Sequence, residues 1–230
     1  MMKRLLAVLF VLGMMLKAQA AEVLLINPNE QAKIQNKIST IGFNILNANE
    51  IPQRTMFTYD TSKTINACST FFGREIIMYR GMFIMLDDDD MIAAILSHEI
   101  SHSIDSYHGP FRGTFSFFAQ SYAPKKYEYK ADKRAIDFMV KAGYHPVASI
   151  VAMNKIMGQD RYDWLSSHPL TSRRMMEVYE YIYRKYPEYL VENKYKTNIY
   201  YQNFLITSKE NRAKFQKKIE KNSRRSVNYL

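Results

Sequence analysis

The sequence predicts an α+β fold, mainly helical with a small sheet, and three observations carry that prediction. Apolar residues recur at spacings of three and four over several separate stretches, the mark of amphipathic helices. Three short runs rich in β-branched and aromatic residues, at 55–59, 65–70 and 74–79, lie close together between turn residues. The last of these runs leads, through an acidic segment, into a helix that carries two histidines four residues apart.

Each element has its own signal. Over 28–46 the apolar positions Ile34, Ile38, Ile41 and Ile45 follow Pro28, which suits a first helical turn. The run 74–79, between Gly73 and Gly81, is expected to be an edge strand immediately before the histidine helix, where an extended peptide could add to it by main-chain hydrogen bonds. Asp87, Asp88, Asp89 and Asp90 suit the N-terminal end of a helix dipole, and they lack the glycine and distal Glu of a calcium loop. That helix runs to about 106 and stops before Gly109-Pro110. The aromatic segment 111–124 has no clean period and reads as a flap. Helices follow at 125–142, closed by Gly143 and Pro146, and at 147–157 and 171–186. After Pro187 the chain reads as irregular or short strand, then as a strongly basic helix over 209–221.

The chain opens with Lys3 and Arg4, an apolar run from Leu5 to Leu16, and Ala18-Gln19-Ala20, the pattern of a secretory leader over residues 1–20. The expected mature product is one domain, 21–230, with a core at about 66–186 and a basic extension at 187–230. No stretch approaches the length of a membrane span. The expected location is therefore the periplasm, with secretion as the alternative. Removing Lys3, Arg4 and Lys17 leaves 29 basic against 22 acidic residues. No nucleic-acid motif accompanies that moderate excess, so no nucleic-acid partner is expected; the basic C-terminal helix reads as a solvated face, with peripheral contact with anionic surfaces as the alternative. Cys68 is the only cysteine, which rules out an intramolecular disulfide.

The chemistry centres on Ser97-His98-Glu99-Ile100-Ser101-His102. Residues four apart on a helix point the same way, so His98 and His102 can reach one metal ion, and Glu99, turned roughly a hundred degrees away, flanks a water on that ion. With five histidines in 230 residues the pattern arises by chance in roughly one such chain in 200, so its company matters. Glu128 and Asp132, again four apart, offer a carboxylate ligand and an acceptor for the far nitrogen of a ligand histidine. The alternative is a solvated face, since Lys125, Lys126, Lys130 and Lys133 surround both acids. A loop at 163–170 brings Trp164 and His168 together ahead of Arg173 and Arg174.

In this order the pieces resemble the zinc metallopeptidase family that includes the CAAX prenyl proteases, HtpX and the BepA-type periplasmic chaperone-proteases, gluzincins with HExxH plus ExxxD. The resemblance covers about 66–175. It rests on Asn66-Ala67, Gly73, Tyr79-Arg80-Gly81, the acidic run into the HExxH helix, Glu128-Tyr129-Lys130-Ala131-Asp132, Ala142-Gly143-Tyr144-His145-Pro146, and His168-Pro169 with Arg174. It implies a zincin-like domain with one zinc ion held by His98, His102 and Glu128, Glu99 as the base, Asp132 behind the ligands, and His168 and Arg174 beside the active site. Two departures stand out. The connection from His102 to Glu128 is short for the family, and Asp90-Met91 replaces its usual Glu in the acidic run.

The expected activity is zinc-dependent endopeptidase action on protein or peptide substrates, including unfolded envelope proteins in quality control. His168, Arg174 or a tyrosine is the candidate donor to the oxyanion. Two alternatives compete: a zinc-stabilised envelope chaperone that binds without cutting, and a metzincin-like protease with His108 as third ligand. Asp105 stands where a metzincin has glycine, which favours Glu128. If His168 fills the fourth metal position, the enzyme is latent until its loop moves.

Overall fold

A computed structural model describes residues 27–52, 54–70, 74–107, 124–157, 171–223, 227 and 229. Helix α1 (Pro28–Ala48) begins as the sequence predicts: Pro28 stands in its first turn, and Asn27 caps it by accepting from the Asn29 amide at 2.9 Å. Its apolar stripe buries Ile38, Ile41 and Ile45. Three strands follow, β1 (Met56–Asp60), β2 (Ala67–Ser69) and β3 (Glu75–Tyr79). A short turn of helix, α2 (Arg80–Phe83), joins β3 to the loop ahead of α3 (Asp89–Tyr107). Gly81 is needed there, because a Cβ would stand 2.1 Å from the Lys63 carbonyl oxygen. The remaining described elements are α4 (Pro124–Lys141), α5 (Ala148–Met157), α6 (Thr171–Lys185), α7 (Glu188–Val191), α8 (Ile199–Thr207) and α9 (Lys209–Glu220). The α+β, mainly helical class holds.

The sheet order is β1-β3-β2, with β1 parallel and β2 antiparallel to β3. The expected edge strand is thus the central one, flanked on both sides. Its alternation, with Ile76 and Met78 buried and Glu75, Ile77 and Tyr79 partly exposed, suits either position, which is why sequence pattern does not separate them. The outer side of β1 is covered by Gln35 of α1, whose side chain donates to the Phe57 carbonyl at 2.6 Å and accepts from the Tyr59 amide at 2.8 Å. Among the described residues β2 has β3 as its one strand neighbour, so the open edge belongs to β2.

Fully buried Ile38 and Ile45 of α1, Ile76 and Met78 of β3, Leu96 of α3 and Met139 of α4 meet in one core. Every residue from Ala148 to Asn154 of α5 is buried, which places that helix inside the helical layer. Gly143 closes α4 at φ +81, and the Tyr144 amide reaches back to the Met139 carbonyl at 2.9 Å.

The acidic run is a helix start. Asp88 accepts from the Met91 amide at 2.9 Å, and the four carboxylates meet cations: Lys155 on Asp87, Lys37 on Asp89, Lys194 on Asp88 and Asp90. The stretch after Pro187 is helical, correcting the expectation of strand or irregular chain. Asn198 caps α8 through the amides of Tyr200 and Tyr201, and Tyr201, Phe204 and Ser208 recur at helical spacing on its buried side. The leader 1–20, the loop 163–170 and all of the 111–124 flap except Pro124 lie outside the described residues.

Candidate metal centre

The site is assembled by α3 against α4, with α6 behind them and β2 alongside. Three contacts fix the register of α3 on α4: Arg134 donates to the Ser101 carbonyl at 3.1 Å and to Asp105 at 3.0 Å, and Lys130 pairs with Asp105 at 2.9 Å. That packing brings the two i, i+4 pairs face to face. His98, His102 and Glu128 offer ligand atoms that all lie within 4.8 Å of one another. The imidazole Nε2 atoms are 3.1 Å apart; Glu128 Oε2 stands 3.5 Å from His98 Nε2, and its Oε1 3.2 Å from His102 Nε2.

These separations fit a metal ion. Three donors about 2.0–2.1 Å from one ion at tetrahedral angles stand roughly 3.3 Å from each other. Two imidazoles and one carboxylate are also the donor set of a catalytic zinc site, in which a fourth position is left for water.

Behind the donors the charges are arranged in a chain. Asp132 Oδ1 stands 2.9 Å from His98 Nδ1, which turns His98 Nε2 towards the other two donors. Arg174, at the start of α6, grips Asp132 with both arms of its fork, Nε to Oδ2 and Nη2 to Oδ1, each at 2.7 Å. Its remaining nitrogen, Nη1, stands 2.9 Å from Glu128 Oε2. Arg174 is 3 % exposed and Asp132 4 %, so this guanidinium is enclosed between the two carboxylates.

The burial sets the ionisation. It works to raise the Asp132 pKa, but the Arg174 charge and hydrogen bonds outweigh it and hold the carboxyl down at about 2. Burial likewise disfavours the Arg174 charge, and Asp132 more than offsets it, leaving the guanidinium protonated above its usual value. For His98, burial opposes the imidazolium, yet hydrogen bonding to Asp132 and Glu128 pushes its pKa up to about 10 in the absence of a competing ion.

Glu99 faces the sheet. Its Oε2 accepts a hydrogen bond from the Ser69 amide of β2 at 3.0 Å. The pairing of β2 with β3 directs the backbone groups of Cys68 and Thr70 inward, so the Ser69 amide is one that points to the open edge. The carboxylate beside the donor cluster is therefore tethered to the strand along which a peptide can lie.

Five of the residues singled out in the sequence, His98, Glu99, His102, Glu128 and Asp132, come together here, and Arg174 joins them from α6. His168 and the rival ligand His108 lie outside the described residues. The sequence reading missed the Ser69 amide, a backbone group with no side-chain signature, and the double grip of Arg174. For the latter there was a signal: a helix with two inward carboxylates one turn apart calls for a buried cation.

The family model for Peptidase family M48 matches residues 28–109 and 104–182, from α1 through most of α6. The chain belongs to peptidase family M48. Membership makes it a metallopeptidase, a hydrolase acting on protein substrates. Comparison with curated proteins gives no match. Among the described residues no helix is long and apolar enough to cross a membrane, and the matched segments end before α7, so α7 to α9 lie outside the match.

Proposed function

We propose that this M48 peptidase is a zinc-dependent endopeptidase of the bacterial envelope, with residues 1–20 as its cleaved leader, 21–230 as a single mature domain, and misfolded or unfolded envelope proteins as its substrates. The observation that carries the reading is the approach of three donor side chains, the two Nε2 atoms 3.1 Å apart and Glu128 with Oε2 3.5 Å from His98 Nε2 and Oε1 3.2 Å from His102 Nε2, with a carboxylate on the next residue of the same helix. His98, His102 and Glu128 would hold the ion, and Asp132 keeps His98 in the tautomer that offers Nε2.

When bound, the ion polarises the scissile carbonyl and makes a neighbouring water acidic. Glu99 does the proton work. With Oε2 tethered to the Ser69 amide, Oε1 accepts a proton as the water oxygen bonds to the carbonyl carbon, and returns it to the departing amine nitrogen as the C–N bond breaks. An extended chain laid along the open edge of β2 can place a peptide bond beside Glu99 without needing a chain end, which favours endopeptidase action. The oxyanion needs one further donor, and His168 is our candidate. Arg174, with its nitrogens on Asp132 and Glu128, is a positioning residue for the ligand set.

Two expected results test this. Chelation should abolish cleavage of unfolded casein and zinc should restore it at about one ion per chain. Because His98 is held protonated up to about pH 10 in the chelated protein, the ion must displace that proton. Titration calorimetry near pH 7.5, in buffers of different ionisation enthalpy, should show release of about one proton per zinc, and affinity should rise with pH. The same sign governs stability: the His98 contribution is complete below its ordinary value of 6.5 and is lost as pH rises towards about 10. A zinc affinity independent of pH would contradict this donor set. For location, the protein recovered from the envelope should have a mass that begins at Ala21; an intact Met1 chain in the cytosol would count against export.

A further inference from the structure

Helices α8 and α9 follow one another through Ser208, which ends the first and begins the second. The Ser208 amide donates to the Phe204 carbonyl at 2.9 Å and the Arg212 amide to the Ser208 carbonyl at 2.8 Å. The buried residues Tyr201, Phe204, Ser208, Asn211 and Phe215 recur at three, four, three and four, so the two helices share one inward face. The opposite line runs through Ile199, Asn203, Ile206, Glu210, Ala213, Lys217 and Lys221, all exposed. On it Ile199 and Ile206 are each 74 % exposed. Lys209 also stands exposed at this junction, whereas Lys218 is held by Glu180 and Arg212 by the Leu205 carbonyl.

The charge of the whole chain is concentrated here. Residues 193–230 carry ten Lys and Arg against Glu210 and Glu220, a net +8, while residues 21–192 carry nineteen basic against twenty acidic residues, a net −1. This basic segment lies beyond the family match, which ends at residue 182.

We propose that the outward face of α8 and α9 docks the enzyme on the surface of a bilayer rich in anionic phospholipid, with the lysines at the headgroups and Ile199 and Ile206 entering the interface. Exposed aliphatic side chains on α8 followed by exposed lysines on α9 supply the two components of an interfacial helix. Nucleic acid would use the lysines but has no use for two isoleucines on the same line, and a second copy would bring two positive faces together. This docking is independent of the zinc reading and concerns a surface away from the donor cluster's own residues.

The test is co-sedimentation of the mature chain with vesicles of phosphatidylcholine alone or with about 30 mol % phosphatidylglycerol, at low and at physiological salt. Binding should be at least tenfold stronger to the anionic vesicles and should weaken with salt. Lys209→Glu, Lys217→Glu and Lys221→Glu together should remove it, and Ile199→Ser with Ile206→Ser should weaken it at physiological salt, with circular dichroism and casein cleavage as for the wild type. No preference for anionic vesicles, or a preference that the charge reversal leaves intact, would overturn the proposal. So would tighter binding to duplex DNA than to the vesicles at the same salt, or sedimentation as a dimer that the isoleucine changes dissociate.

Discussion

Replacing Glu99 with Gln is expected to lower kcat/KM for peptide hydrolysis by about 10²–10⁴-fold while leaving fold and metal content as they are. The amide is the same size as the carboxylate and its oxygen can still accept from the Ser69 amide, so the 3.0 Å tether to β2 survives. What disappears is the capacity to take up a proton. Since Glu99 is not among the three clustered donors, the variant should bind zinc with the same stoichiometry, checked by metal analysis. A fluorogenic peptide or casein assay then reads the loss directly. Activity within threefold of the wild type would remove Glu99 from the mechanism, and loss of zinc alongside loss of activity would show that it holds the metal site together instead. The same substitution also separates cutting from holding: a chaperone function would leave Glu99→Gln as effective as the wild type in keeping an unfolded protein soluble.

How far the sequence reaches can be judged from particular residues. The bounds of α1, α4 and α6 were readable to within a residue or two, because Pro28, Gly143 and the three-four apolar spacing are local signals that tertiary packing had no reason to override. Sheet order was not readable. Whether β3 sits at the edge or in the middle depends on β1 and β2 both pairing with it, contacts between segments that no local pattern reports. The segment after Pro187 misled because Tyr and Ile are frequent in strands, and it takes the cap at Asn198 and the buried Tyr201, Phe204, Ser208 line to show a helix.

In the site the legible part was also the local part. The i, i+4 spacing of His98 with His102 and of Glu128 with Asp132 comes from helix geometry alone, and the structure needs only to face α3 with α4 for the donors to meet. Contacts that depend on a third element were not legible: the Ser69 amide arrives from β2, and Arg174 crosses from α6, 42 residues beyond Asp132. Arg174 could be taken for an oxyanion donor as long as its partners were unknown. Once Nε, Nη2 and Nη1 are all placed on carboxylates, its work is to set where Glu128 and Asp132 stand.

Replacing Arg174 with Ala is therefore expected to destabilise the protein by about 3–5 kcal/mol, because it leaves two buried carboxylates to share the His98 imidazolium as their one close counter-charge among the described residues. Urea unfolding of the chelated protein at pH 7 measures this. The pH dependence distinguishes the electrostatic cause from lost packing. In the wild type the depressed Asp132 pKa contributes stability that is complete above the ordinary 3.8 and is lost as pH falls through about 2. Without the guanidinium that depression goes, so acid protonates Asp132 at less cost in the variant, and the difference between the two proteins should shrink as pH drops from 7 towards 3. A packing defect would leave the difference constant. Arg174→Lys should fall between, since an ammonium restores one charge but not the fork that holds Asp132 by two hydrogen bonds and stands as an ion pair beside Glu128. Zinc should stabilise Arg174→Ala by more than it stabilises the wild type, because the ion brings positive charge to the same pair of carboxylates. Equal stabilisation of both proteins by zinc, together with a pH-independent deficit, would mean that Arg174 fills space and does not position the ligands.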